Sequence, residues 1–202
     1  MLRQRDLKEA ILHWCVAMHA AAPELNELDG RLGDADLGAT LDKCAALIEK
    51  ELPNLPDDLT GAFRRLAQAS ARASGSSFGT LLTVALITAA KFSADKASLD
   101  RVEMAKLIKA VIDALIARGG ASLGDKTVLD GLEAIYVALL ATTDDDVWSI
   151  SCNAVQSALD KFRDKPNRIG RARMFAERTI GMDDPGMVAL LRMIEGLRGV
   201  TV

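Results

Sequence analysis

A chain of 202 residues, half of them hydrophobic, has the size and apolar content of one ordinary domain, expected to span 1–202. Aromatic residues make up only 4%, while Ala and Leu dominate, which favours helix over sheet. A formal net charge of −3 argues against nucleic acid as a partner, and no apolar run approaches a membrane span.

The first helical stripe is Leu7, Ile11, Trp14, Met18 and Ala21, stepping by three or four. Glu9 and His13 interrupt it, so it is not a secretory leader, and a cytoplasmic location is the expectation. Cys15, Cys44 and Cys152 are odd in number and sit in apolar periodic segments, as small core residues in a reducing compartment do. Pro23 interrupts the stripe and an aspartate-rich loop follows. A second helix starts near Gly38 and runs through Leu41, Cys44, Ile48 and Leu52 to a proline-bearing loop at 53–58. Leu59, Phe63 and Leu66 mark a third, broken at 75–79. The fourth carries Leu82, Leu86 and Ala90 and is apolar nearly all round, which predicts deep burial.

Ser98 is placed to cap a fifth helix, with Val102, Ile108, Val111 and Leu115 inside and Gly119 as its stop. The sixth holds Leu129, Leu132, Tyr136 and Leu139. Thr143, before three aspartates, opens the seventh with Val147, Ile150, Ala154 and Phe162. Asp184 and Pro185 have cap and first-turn chemistry for a last helix through Val188, Leu191 and Ile194. No stretch alternates as a strand. The expectation is an all-α bundle or barrel of about eight antiparallel helices.

On this map the glycine-rich polar segments fall in alternate connections: 29–38, 75–80, 119–127 and 170–186. In an up-and-down bundle they meet at one end. Asp29, Asp34 and Asp36 form a carboxylate cluster suited to Mg²⁺, which takes few protein carboxylates and completes its shell with water and phosphate oxygens. Asp34 and Asp36 are two apart and share a side in extended backbone; Gly33 and Gly38 are read as permitting a tight path round an ion. The alternative is that the aspartates merely cap the second helix. The string Gly75-Ser76-Ser77-Phe78-Gly79-Thr80 offers amides at a helix N-terminus, or an ordinary turn. The segment 119–127 is not a P-loop, because Asp125 intrudes before Lys126 and no strand precedes it. Arg171 and Arg178 could reach phosphates, although the basic residues after Lys161 read more simply as a solvated face.

The strings LNELDGRLGDADLG, GSSFGTLL, GDKTVLDGL and GRARMFAERTIGMDDPG, in this order and spacing, resemble the nucleotide-binding L subunit of dihydroxyacetone kinases. The resemblance covers nearly the whole chain. It implies an eight-helix barrel with the nucleotide, ADP or ATP, at one end. Asp29, Asp34 and Asp36 would hold two Mg²⁺ ions, and Leu37, Gly38, Ala39, Thr40, Ser77, Phe78, Gly119, Val128, Arg171, Asp184, Pro185 and Gly186 would surround the nucleotide. Asp125 and Lys126 belong to a matching string and could equally be a local structural pair.

In that family the sugar is held by a histidine of a separate K subunit or domain. His13 and His19 lie outside every matched string and read as packing or surface residues, so no catalytic residue is assigned to this chain. The resemblance implies a K-type sugar-binding partner and, by analogy with bacterial systems, a phosphotransferase-system protein that rephosphorylates ADP in place. The other branch exchanges ATP. A homodimer is left open by these residues.

Leu37 stands where the family usually has histidine, Phe78 where it has a small hydroxyl residue, Val128 where Met is frequent, and Met182 where histidine is common. Two functions therefore compete: the nucleotide subunit of a short-ketose kinase, and a degenerate nucleotide-binding adaptor without catalysis. Retention of the three aspartates and Arg171 favours the first.

Overall fold

The structure, a computed structural model, describes residues 2–73 and 75–198. Among these, eight α-helices carry the fold: α1 (Gln4–Leu32), α2 (Leu37–Glu49), α3 (Leu59–Ala73), α4 (Ser77–Phe92), α5 (Arg101–Gly119), α6 (Val128–Ala141), α7 (Val147–Arg163) and α8 (Pro185–Leu197). Each packs on the next in sequence, and α8 packs back on α1, so the helices close into a ring. The all-α expectation holds.

Local chemistry sets the helix ends. Ser76 caps α4 by accepting from the Gly79 amide, Asp100 and Thr127 make reciprocal capping boxes with Glu103 and Asp130, and Asp146 caps α7. Asp184 caps α8 with Pro185 in its first turn, as the sequence predicts. Gly120, at φ 68°, ends α5 in the left-handed conformation that glycine adopts without strain.

Several expectations are corrected. Pro23 does not end α1; its ring faces solvent and the helix continues to Leu32, so Asp29 is a helical residue. Leu52 lies not in α2 but in a 3₁₀ turn, Leu52–Asn54. The caps of α5 and α7 are Asp100 and Asp146 rather than Ser98 and Thr143. Ser98–Leu99 instead forms a two-residue strand, β2, antiparallel to β1 (Leu2–Arg3), with Leu2 opposite Leu99. Such a pair is too short to show alternation. Val102 is 38% exposed, being in the first turn of α5. Helix α4 is mostly half-buried, with Gly79, Ala89 and Ala90 its buried residues. As a stave in a ring it touches chiefly the helices on either side, which leaves part of its circumference uncovered.

The ring is filled by one large cluster that includes Trp14, Met18, Leu25, Leu41, Leu66, Leu139, Val155, Met187 and Ile194, all buried. At Gly38 a Cβ would stand 2.0 Å from the Ala22 carbonyl oxygen, so glycine lets the backbone of α2 lie directly on α1. All three cysteines are buried and free; burial pushes the Cys15 thiol up to about 12.

Candidate functional site

With eight staves alternating in direction, the C-termini of α1, α3, α5 and α7 and the N-termini of α2, α4, α6 and α8 share one end. The convergence expected from parity is present: one cavity of about 300 Å³ is lined by Asp29, Asp34, Asp36 and Leu37, by Gly75, Ser76, Ser77 and Phe78, by Thr127 and Val128, and by Ile169, Gly170, Ala172, Asp184, Pro185 and Gly186. Four helix N-termini bring partial positive charge to this mouth.

The carboxylates of Asp29, Asp34 and Asp36 come within 4.8 Å of one another. Asp29 projects from the last turns of α1, and its Oδ2 accepts from the Asp36 amide at 3.0 Å, folding the short connection back over the helix end. The turn is made by Ala35 at φ 59°, not by a glycine. Gly33 has another role, since a Cβ there would lie 2.6 Å from Asp29 Oδ1. Three acid groups so close repel one another unless a cation lies among them, which is the donor set a hard divalent ion takes.

The remaining candidates divide. Leu37, Ser77, Phe78, Val128, Asp184, Pro185 and Gly186 line the cavity. Gly38 and Thr40 are buried, and the Thr40 hydroxyl donates to Ser76 Oγ at 3.0 Å, joining the starts of α2 and α4. The Ala39 amide is engaged by Asn26 Oδ1 at 3.0 Å. Gly119 is exposed at the end of α5, outside the cavity wall. Arg171 opens a 3₁₀ segment, Arg171–Thr179, between two lining residues; its side chain lies outside the described atoms.

Asp125 accepts from the Ser122 amide at 2.8 Å, while Lys126 is fully buried and donates to main-chain carbonyls, so the two have separate partners. Sequence reasoning missed Asn167, which is 3% exposed. Its amide nitrogen donates to the Lys126 carbonyl and to Asp184 Oδ1, each at 2.8 Å. The cue available was an Asn three residues before the Gly170-Arg171 pair. Burial lifts the Asp184 carboxyl to about 6, against the Met187 amide, Asn167 and the Lys126 charge, which pull it down. Arg163 pairs with Asp183 at 2.9 Å and Arg178 stacks on Phe175, so both face local partners. His19 stands between Asp42 (2.6 Å) and Glu49 (3.5 Å) along α1 and α2, as a surface residue.

The helical ring thus brings a carboxylate triad and four helix N-termini to one mouth, groups of the kinds that suit a divalent cation and an anion. Residues 31–199 match the DAK2 domain. The chain is 30% identical over 163 residues to the ADP-binding subunit of a PEP-dependent dihydroxyacetone kinase of Listeria innocua, covering 80% of this chain and 79% of that one. It is 28% identical to the corresponding subunit of Escherichia coli, over 86% and 85% of the two chains. An L-erythrulose 1-kinase of Mycolicibacterium smegmatis is 30% identical, but this chain spans only 32% of it. The dihydroxyacetone kinase of C. freundii has the same fold, with a TM-score of 0.77 over 98% of this chain and 35% of that one, at 21% identity. The same enzyme in complex with AMP-PNP and Mg²⁺ gives 0.72. The chain belongs to the DAK2-domain family, in which the ADP-binding L subunits of dihydroxyacetone kinases are its relatives over most of its length. No helix among the described residues is long and apolar enough to cross a membrane.

Proposed function

We propose that this chain is the ADP- or ATP-binding subunit of a cytoplasmic short-ketose kinase of the dihydroxyacetone type. The observation that carries the reading is the meeting of Asp29, Asp34 and Asp36 with the N-terminal turns of α2, α4, α6 and α8 in one cavity. The three carboxylates would hold two Mg²⁺ ions, which when bound neutralise the phosphates. The first-turn amides of α4 and α8 would cradle phosphate oxygens, and Val128 with Phe78 would supply apolar wall. A cavity of about 300 Å³ is at the small end of ligand sites. Leu37 lines the cavity and is only 5% exposed.

The terminal phosphoryl group would pass from the nucleotide to a hydroxyl of a sugar held on a K-type subunit, leaving ADP here. A phosphotransferase-system protein would then rephosphorylate that ADP in place. The names of the Listeria and Escherichia relatives support this arrangement.

Native mass spectrometry of the purified chain, with and without EDTA, is the test. Co-purifying ADP and Mg²⁺, lost together on chelation, is the expected result. A chain that arrives empty and ignores added Mg·ADP and Mg·ATP would overturn the reading. Binding without turnover when a K-type subunit and a ketose are supplied would leave the adaptor function in its place.

A further inference from the structure

Lys126 is fully buried and is reached from a backbone position at φ 60°, a conformation side-chain-bearing residues seldom hold. Its partners are main-chain carbonyls. Nζ donates to Arg163 O at 3.1 Å, Lys165 O at 2.7 Å and Thr179 O at 2.9 Å. The first two lie where α7 runs out; the third closes the 3₁₀ segment Arg171–Thr179. Between them, Ile169, Gly170 and Ala172 line the cavity. One ammonium therefore ties together both ends of a cavity-lining segment.

Neighbouring bonds tighten the same knot. The Gly181 amide donates to Arg163 O at 2.9 Å, and the Asn167 amide to Thr179 Oγ1 at 2.9 Å. Through Asn167 the Lys126 carbonyl is linked to Asp184, the cap of α8. Burial works against the charged ammonium, while Asp184 and Asp183 favour it. An apolar side chain would fill such a space without that desolvation, so what a lysine adds is three directed donors. On its other side Lys126 adjoins Thr127 and Val128, which open α6 and line the cavity.

We propose that Lys126 is a positioning residue for nucleotide binding, pinning both ends of the segment 163–179 so that its lining residues stay in place against the ligand. The proposal rests on the nucleotide reading above. Lys126→Met keeps the length and removes the donors, and Asn167→Ala cuts the link to α8 without touching the charge. The segment carries Arg168, Arg171, Arg173 and Arg178, none of them followed by proline, so trypsin reports its release.

Without nucleotide, Lys126→Met should be cut in this segment at least about tenfold faster than wild type, with cleavage elsewhere and helical circular dichroism unchanged. Its Mg·ADP affinity should fall about tenfold or more through faster dissociation, and Asn167→Ala should show the same change in smaller degree. A merely structural lysine would lower the melting temperature and leave the dissociation rate alone, and that result would overturn the proposal. Should Lys126→Met fail to fold, Asn167→Ala and the wild-type ¹⁵N ammonium spectrum decide. A slowly exchanging lysine signal that Asn167→Ala speeds up supports the pin; only fast-exchanging signals overturn it. Wild type that fails to bind Mg·ADP would instead sink the nucleotide reading, and the positioning role with it.

Discussion

Asp29 works on two fronts. One oxygen accepts the Asp36 amide and shapes the connection; the carboxyl also faces Asp34 and Asp36. Asp34 is the exposed member of the three, whereas Asp29 and Asp36 are half-buried, so the two positions Asp29 and Asp34 separate folding from binding. Asp34→Asn should abolish Mg-dependent nucleotide binding, read by calorimetry, while leaving the stability of the ligand-free chain within about 0.5 kcal/mol or raising it through relief of like-charge repulsion. Asp184 makes a pH prediction. Its carboxyl is lifted by burial to about 6, above the ordinary value of 3.8, so the folded state holds the proton more tightly than the unfolded one. The stability this contributes is present below the unfolded value and lost as pH rises through about 6. Asp184→Asn, which can still cap α8, should therefore gain melting temperature relative to wild type as pH goes from 4 to 7 without ligand. A difference between the two proteins that is flat across this range would refute the assignment.

At the scale of helices, the α1–α2 contact is governed by backbone proximity. Gly38→Ala would set a methyl 2.0 Å from Ala22 O and 2.8 Å from Asn26 Oδ1, so the helices must part. A loss of about 1–3 kcal/mol in denaturant unfolding is expected, with weakened nucleotide binding because Asp29 and Leu37 sit on the two separated helices. Farther along the same pair, His19 bridges Asp42 and Glu49. The Asp42 hydrogen bond raises its pKa, so its stabilisation is present at acid pH and lost as pH rises through that raised value. His19→Gln should lower the melting temperature more at pH 6 than at pH 9, modestly and less so in high salt, since the groups are about a third to a half exposed. The helix count and the last helix with its Asp-Pro start were legible because caps and apolar period agree there. Three things were not. Pro23 looks like a terminator when only the missing amide is considered; a ring turned to solvent lets α1 run on. Val102 and α4 look buried by composition, but exposure depends on where a stave stands in the ring. The β1–β2 pair joins residues too far apart in sequence for any local signal.

For the molecule as a whole, the carboxylate triad, the glycine-serine turn and the residues from Asp184 onward were legible because each motif is short and continuous. Lys126 and Asn167 were not: their roles exist only once α7 and the 3₁₀ segment have been brought beside α6. The cavity draws on every second junction round the ring, so a bound Mg·nucleotide should stabilise the fold globally. Thermal melting with Mg·ADP at about 100 times its Kd should reflect about 2.7 kcal/mol of added stability, and EDTA should cancel it. A melting curve indifferent to Mg·ADP at saturating concentration would mean that nothing binds at the mouth.

Closure of α8 onto α1 has a further consequence for how such a molecule can change over time. Adding or removing a single stave would reverse the direction of every stave after it and send the later junctions to the far rim, scattering the chemistry. Only paired gains or losses, one helical hairpin at a time, leave the cavity-bearing rim intact. The far rim, which holds the β1–β2 clasp and the junctions at 53–58 and 142–146, is free of that constraint. Length variation among functional relatives should accumulate there.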